Sequence, residues 1–149
     1  MPRSPPESDT IHDACGVAAV YLKKDLSHYP KGGALFFLQK MLLQLQHRGQ
    51  LSAGFTIYNA SKSDLLKTHT SNGLVSEVFS LSDDEKAEKL FDDHAGTIGI
   101  GHVRYATSGN NSCDNAQPFE RVHSRLWKWF SFGFNGNVAN APDIRASLK

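Results

Sequence analysis

The sequence predicts an α+β domain, in which helices pack against antiparallel β-sheets. Short segments with the apolar pattern of strands recur along most of the 149 residues, separated by turns that contain Gly, Asn or Asp. One long amphipathic segment without Pro or Gly is typical of a helix that covers a sheet. Because the chain contains no internal repeat and no clear linker, we expect a single domain.

The first predicted elements are a strand, a turn and the long helix. Residues 16–21 are small and apolar, which suits a buried strand, and residues 31–33 favour a turn. Residues 34–46 are predicted to form the helix, because leucines recur there at helical spacing and Gly49 follows as a residue typical of a helix end. These leucines are Leu35, Leu38, Leu42 and Leu45.

A hairpin and a surface helix are predicted next. Residues 52–58 and 65–69 have the pattern of strands, and the polar residues 59–64 form the loop between them. Asn72-Gly73 is typical of a tight turn. Residues 82–91 are predicted to form a short helix that Ser82 caps, with acidic residues in its first turn.

The last third of the chain is predicted to contain two more strands and the start of a helix. In a regular strand over residues 97–105, alternation places four side chains on one face: Ile98, Ile100, His102 and Arg104. The other predicted elements are a polar loop over 108–118, an aromatic strand over 126–134 and a helix that starts at 140–143.

Composition and charge restrict the function classes. The 16 basic and 15 acidic residues give a net charge of +1, which argues against a nucleic-acid or membrane partner. No apolar run approaches the roughly 20 residues of a membrane span, and residues 1–14 lack the apolar core of a signal peptide, so we expect a cytoplasmic protein. The two cysteines, Cys15 and Cys113, do not cluster with the seven histidines, and no metal site is expected.

Five short segments stand out, and several of them place polar or charged residues directly beside apolar strands. They are Cys15-Gly16-Val17; residues 45–50 with 52–54; residues 73–75 with 78–79; residues 101–109 with 115–119; and Asn135-Gly136-Asn137. Burying polar groups without partners is costly, whereas strand ends that open into a site expose them at little cost. The pattern therefore favours a functional site at one end of a sheet.

In their order and spacing, these segments resemble the glutamine phosphoribosylpyrophosphate amidotransferases, which are class II (N-terminal nucleophile) glutamine amidotransferases. The resemblance runs from Cys15 to about Leu148. It implies the fold of the N-terminal-nucleophile hydrolases, a four-layer αββα sandwich, here truncated at its C-terminus. Residues 1–14 are then a leader or propeptide, and residues 15–149 are a partial glutaminase domain without the phosphoribosyltransferase domain that follows it in the family.

The same resemblance implies an enzymatic function. The chain is expected to be the glutaminase half of an amidophosphoribosyltransferase, which hydrolyses glutamine and supplies ammonia for phosphoribosylamine synthesis in de novo purine biosynthesis. Phosphoribosyl pyrophosphate would bind only to the missing domain, and the full-length protein is expected to be a homo-oligomer. No cofactor is expected in this segment, since the magnesium ion and any iron–sulfur cluster of the family belong downstream. The fragment alone is expected to be weakly active or inactive.

The mechanism implied by the resemblance depends on Cys15. A free thiol is mostly protonated at neutral pH, and the thiolate is the nucleophile. If Cys15 becomes the first residue, its own α-amino group lies beside the sulfur, titrates near 8 and can accept the thiol proton. Cleavage of the Ala14–Cys15 bond is therefore a requirement of this interpretation.

Resemblance also assigns the remaining site residues. The side-chain amide of Asn135 and the backbone N–H of Gly136 would stabilise the oxyanion, and Arg104 would bind the substrate α-carboxylate. Thr107 lies near Arg104 and would help to hold the substrate, while Arg48 would line the nucleophile pocket. The acidic residue with which the family binds the substrate α-amino group falls beyond residue 149.

Each of these residues also has a structural interpretation. Cys15 in a small apolar strand could be a core cysteine. Arg48 could stabilise a helix end through the helix dipole. Asn135-Gly136 is a common hairpin turn. His102 is interpreted as a structural residue that forms hydrogen bonds.

The chain departs from the family pattern at three places. Leu51 stands where the family usually has an acid, Phe134 stands where it usually has a histidine, and about seven extra residues lie near positions 25–31. Two other functions therefore stay open. One is a glutaminase that serves another acceptor, such as a sugar phosphate or an amino acid. The other is a non-catalytic paralogue.

Overall fold

The computed structural model describes residues 15–105, 115–136 and 140–147. Several of the sequence predictions lie outside these ranges. They are the leader at residues 1–14, Thr107, Cys113, most of the loop predicted over 108–118, and Asn137.

A four-stranded antiparallel sheet is the centre of the described structure. Its strands are β1 (Gly16–Tyr21), β2 (Ser52–Tyr58), β3 (Leu66–Asn72) and β4 (Ile98–Arg104), in the spatial order β1-β4-β2-β3. In the register, Val17 lies opposite His102 and His102 lies opposite Gly54. Strand β4 therefore lies between β1 and β2, and its end is close to the start of both.

Helix α1 (Ala34–Leu45) covers one face of this sheet. Leu35, Leu38 and Leu42 are buried and Leu45 is partly buried, and the glycines of β4 let the helix approach closely. A Cβ atom at Gly99 would lie 2.6 Å from Leu38 Cδ1, and one at Gly101 would lie 2.8 Å from Leu42 Cδ1. Leucine side chains of α1 therefore pack directly over the glycines of β4, and the same helix also contacts β1.

Two further helices, α2 (Val75–Val78) and α3 (Asp84–Asp93), extend the same apolar core. The buried ring of Phe55 on β2 packs against Phe79, with 4.9 Å between ring centroids, and against His94, with 5.2 Å. Aromatic contacts thus connect the helices to the sheet.

A second sheet covers the opposite face. Strands β5 (Phe119–Arg121) and β6 (Phe130–Phe132) pair in antiparallel fashion. The hydroxyl of Thr56 on β2 lies 2.7 Å from that of Ser131 on β6. Helix α4 (Ala141–Ser147) follows β6 along the chain. The described residues thus form a helix layer and two stacked sheets, which agrees with the predicted α+β fold class.

Several elements agree with the sequence predictions. Strands β1 and β2 have the predicted bounds, and α1 and β4 differ from prediction only at their ends. Helix α3 starts at Asp84, two residues later than predicted, because the cap is Asp83, whose side chain accepts a hydrogen bond from Lys86 N at 3.1 Å. The predicted cap, Ser82, was wrong.

The prediction of one aromatic strand over residues 126–134 was wrong. Residues Leu126–Lys128 form a short 3-10 helix, and only Phe130–Phe132 form a strand. Hydrogen bonds from Lys128 N to Arg125 O and from Trp129 N to Leu126 O turn the chain there. Partial alternation of aromatic residues did not reveal this turn, and α2 and β5 were not predicted at all.

Candidate functional site

Cys15 lies at the end of the central sheet where β4 ends and where β1 and β2 begin. The first residue of β1, Gly16, pairs with Val103, and the first residue of β2, Ser52, pairs with Arg104. Cys15 directly precedes β1, so the register brings it beside the end of β4. The structure thus places two of the predicted site residues, Cys15 and Arg104, at one sheet end.

The thiol of Cys15 is half-buried and is not in a disulfide. The backbone N–H of Tyr105 donates a hydrogen bond to Cys15 Sγ, with 3.5 Å between N and S. Tyr105 directly follows β4 and is itself exposed. The sulfur therefore contacts the end of β4, in a residue that is only partly buried among the described residues.

Arg104, the last residue of β4, is half-buried. Its backbone carbonyl accepts a hydrogen bond from Leu51 N at 3.1 Å. Gly49 lies flat against the same backbone, since a Cβ atom at Gly49 would be 2.7 Å from both N and C of Arg104. The chain that leaves α1 is therefore docked directly on the residue predicted to bind the substrate carboxylate.

Arg48 immediately precedes Gly49 and ends a 3-10 helix formed by Gln46–Arg48. Its side chain is exposed. Gly49 has an extended backbone with φ −162°, not the left-handed conformation that helix-ending glycines often adopt. The close backbone contact with Arg104, not a special φ, explains a glycine there. Arg48 thus lies one residue from the contact with β4.

Asn135 and Gly136 are exposed and follow β6. The residue before them, Phe134, is connected to the central sheet through its backbone. Phe134 N donates to Gln117 Oε1 at 2.9 Å, and Phe134 O lies 3.2 Å from His102 Nε2. The predicted oxyanion residues are thus connected to β4, the strand that also ends at Arg104.

His102 is fully buried and lies on the face of β4 that contacts the second sheet. Burial lowers the pKa of its imidazole from 6.5 to about 4. The hydrogen bond to Phe134 acts in the opposite direction, and the charge of Arg104 acts in the same direction as burial. The ring is therefore neutral at physiological pH. Because a carbonyl can only accept, the proton is assigned to Nε2, and Nδ1 is a buried acceptor without a partner among the described residues.

Ser52 Oγ is the other buried side-chain atom of this kind within the described ranges. Ser52 pairs with Arg104 while Gly54 pairs with His102, so both unpartnered atoms belong to residues on one face at one end of the sheet. An unpaired buried polar group costs about 1–3 kcal/mol. This end of the sheet is less stable than a purely apolar packing would be.

The neutral imidazole of His102 predicts that stability falls in acid. Between pH 6.5 and about 4, the unfolded chain binds a proton that the folded chain excludes, so the free energy of unfolding rises with pH in this window. We expect a loss of about 2 kcal/mol from pH 7 to pH 5. His94 adds a loss in the same direction, because burial lowers its pKa too. Urea unfolding at the two pH values measures the loss.

The matched variant for this prediction is His102→Gln, which cannot titrate in this range. In this variant, most of the difference in the free energy of unfolding between pH 7 and pH 5 should disappear, whereas the unmodified protein should show the full difference. Equal pH dependence in the two proteins would contradict the assignment to His102.

Sequence reasoning missed the roles of Gln117 and of the Tyr105 backbone. Gln117 belonged to a recognised motif, but its partner Phe134 lies 17 residues away in sequence. The Tyr105 N–H carries no side-chain signal at all. Among the described residues, no group of three His, Cys, Asp or Glu side chains could hold a metal ion. In the same part of the chain, no helix has the length and apolar character required to cross a membrane.

The chain is similar to curated amidophosphoribosyltransferases. It is 37% identical over 144 residues to that of Methanothermobacter thermautotrophicus, a match that covers 93% of this chain and 26% of the relative. It is 39% identical over 137 residues to amidophosphoribosyltransferase 2, chloroplastic, of Arabidopsis thaliana, covering 92% and 21%. With the Homo sapiens protein it is 38% identical over 109 residues, covering 72% and 19%. No family model matches the chain.

Solved structures give the same result. The glutamine phosphoribosylpyrophosphate amidotransferase from B. subtilis, complexed with ADP and GMP, matches with a TM-score of 0.62 and 28% identity over 91% of this chain and 24% of that one. A structure described as the allosteric regulatory enzyme of purine biosynthesis matches with a TM-score of 0.60, also at 28% identity. The described fold is therefore that of the N-terminal-nucleophile hydrolases, as predicted. The chain spans about a quarter of each matched structure.

Proposed function

Because the chain belongs to the family of the amidophosphoribosyltransferases, of whose curated members it spans 19% to 26%, we propose that it is the glutaminase part of such an enzyme. The reaction is hydrolysis of the glutamine side-chain amide to glutamate and ammonia. Cys15 is the nucleophile. The observation that supports this role most directly is the position of the half-buried Cys15 at the end of β4, where its sulfur contacts the N–H of Tyr105, the residue after Arg104.

The nucleophile is generated by scission of the Ala14–Cys15 peptide bond. The new α-amino group accepts the thiol proton, and the thiolate attacks the amide carbon of glutamine. The C–N bond then breaks, the nitrogen takes the proton and leaves as ammonia, and a thioester remains on Cys15. Water hydrolyses the thioester to glutamate and restores the thiol. The atoms and protons that these steps exchange come only from Cys15, the substrate and water.

Attack on the amide places negative charge on its oxygen. The side-chain amide of Asn135 and the backbone N–H of Gly136 stabilise this oxyanion, and removal of one such donor costs about 2.7–4 kcal/mol of transition-state stabilisation. Arg104 binds the substrate α-carboxylate through its planar guanidinium group. Arg48 lines the pocket next to the contact between Gly49 and Arg104, and Thr107 helps to hold the substrate.

Ammonia released at Cys15 has an acceptor outside the chain. In the proposal, it attacks phosphoribosyl pyrophosphate bound to the phosphoribosyltransferase part of the full-length protein and gives phosphoribosylamine. This segment requires no cofactor of its own, and any magnesium ion or iron–sulfur cluster belongs to the other part. The full-length protein is a cytoplasmic homo-oligomer in this proposal, although some relatives carry the word chloroplastic in their names.

Covalent labelling tests the proposed nucleophile without requiring turnover. A chloromethyl-ketone analogue of glutamine should alkylate Cys15 at a rate that saturates with its concentration, and excess glutamine should protect the thiol. Cys113 is the matched control, because any reaction there should be slow, unsaturable and unaffected by glutamine. Peptide mapping by mass spectrometry measures both rates. Similar unprotected labelling of the two cysteines would overturn the proposal.

A further inference from the structure

The backbone of Phe134 is held from two directions by side chains of other segments. Gln117 Oε1 accepts from the N–H of the Gly133–Phe134 peptide at 2.9 Å. His102 Nε2 lies 3.2 Å from the carbonyl oxygen of the Phe134–Asn135 peptide, to which it donates. Together, the two bonds fix the peptide planes on both sides of Phe134.

The residues that follow have few constraints of their own. Asn135 and Gly136 are exposed, and within the described ranges no hydrogen bond reaches either of them. The side chain of Phe134 is also partly exposed, at 39%. The orientation of this segment is therefore set mainly by the backbone bonds at Phe134.

The two residues that bond to the Phe134 backbone are themselves buried against the central sheet. His102 is fully buried on the strand between β1 and β2, and Gln117 is 8% exposed. The Gln117 carbonyl oxygen would be 2.6 Å from a Cβ atom at Gly54, the residue paired with His102. Glycine at position 54 thus lets the Gln117 segment lie directly on the sheet beside His102.

The imidazole is better suited to orienting a carbonyl than to packing. Its Nδ1 is buried without a partner among the described residues, which an apolar side chain of similar size would avoid. Its neutral state leaves a single ring proton, which must be on Nε2 to reach Phe134 O. Histidine at position 102 therefore leaves one buried acceptor, Nδ1, without a partner among the described residues, but it supplies one N–H that is directed at Phe134 O.

We propose that His102 and Gln117 are positioning residues that orient the Phe134–Asn135 peptide and, through it, the oxyanion donors Asn135 and Gly136. This inference rests on the proposed glutaminase function. Neither residue touches the substrate. Their effect arises because misplacement of catalytic groups by about 1 Å can cost on the order of 100-fold in rate.

Two substitutions at position 102 separate orientation from packing. Glutamine can place an N–H near the position of Nε2, whereas asparagine reaches only the position of Nδ1. In the full-length protein, His102→Asn should lower the kcat of glutamine hydrolysis by about 10- to 100-fold with KM changed less than about 3-fold, and His102→Gln should recover most of the loss. His28→Asn, at an exposed histidine, is the control and should be without effect.

A second measurement covers the case in which His102→Asn does not fold. Gln117→Met removes the acceptor for Phe134 N and should show the same selective loss of kcat. Amide hydrogen exchange followed by NMR should be faster at Phe134 in both Gln117→Met, where its N–H loses its fixed acceptor, and any folded His102→Asn protein, while exchange in β2 stays unchanged. Unchanged exchange at Phe134, or equal kcat for the asparagine and glutamine variants, would overturn the proposal.

The two proposals fail in different ways. If the full-length protein, with Cys15 at its N-terminus, does not release ammonia from glutamine, the proposed function is wrong and the positioning role falls with it. If the unmodified protein is active and His102→Asn retains its kcat, only the positioning role is wrong.

Discussion

Replacing Cys15 by alanine is expected to lower the rate of glutamine hydrolysis by on the order of 10⁴-fold or more. The change removes the sulfur that attacks the amide carbon, and no other group in the described residues takes its place beside Tyr105 N. The fold should be unaffected, because Cys15 precedes β1 and is only half-buried. Ammonia release by the full-length protein, measured at saturating glutamine, checks this expectation.

The chain offers a matched control for this substitution. Cys113→Ala removes the only other cysteine and should leave ammonia release within about 2-fold of the unmodified protein, since Cys113 has no part in the proposed reaction. Substantial turnover in the Cys15→Ala protein would show that another group carries the reaction, and the proposed mechanism would then be wrong.

Replacing Gly49 by alanine is expected to displace Arg104, although Gly49 itself has no role in the proposed reaction. The added Cβ atom would be 2.7 Å from N and C of Arg104 and from C of Val103, all of them backbone atoms that cannot rotate away. The end of β4 must shift, and Arg104 moves with it. We expect kcat/KM for glutamine to fall by about 10- to 100-fold and the free energy of unfolding to fall by about 1–3 kcal/mol.

Gln50→Ala is the control for this prediction, because Gln50 is the next residue and is exposed. Steady-state kinetics and urea unfolding should both leave that variant close to the unmodified protein. Normal kinetics and stability for Gly49→Ala would mean that the contact between Gly49 and Arg104 does not position the arginine.

The regular elements could be predicted because their side chains repeat with a clear period. The leucines of α1 predicted the buried face of the helix, and alternation in β4 correctly placed His102 and Arg104 on one face. The elements missed or misassigned are short. Strand β5 has three residues and α2 has four, too few for either period to be recognised, and both are held mainly by tertiary contacts.

The site could be predicted only in part. The order of the motifs indicated that Cys15 and Arg104 belong together, and the pairing of Gly16 with Val103 agrees with this. The connection among His102, Gln117 and Phe134 could not be predicted, because the three residues are distant in sequence and both bonds reach the backbone of Phe134, not its side chain. Likewise, the backbone N–H of Tyr105 contacts Cys15 Sγ because Tyr105 directly follows β4, and the contact does not depend on the tyrosine side chain.

All of this chemistry depends on a free amine on the residue that carries the reactive sulfur. The most direct test is the intact mass and N-terminal sequence of the purified full-length protein, measured on the same sample that is assayed for ammonia release. Active material should begin at Cys15, and Cys15→Ala protein should retain residues 1–14 if the chain removes its own leader. Active protein that still carries Met1 to Ala14 would contradict the proposed mechanism.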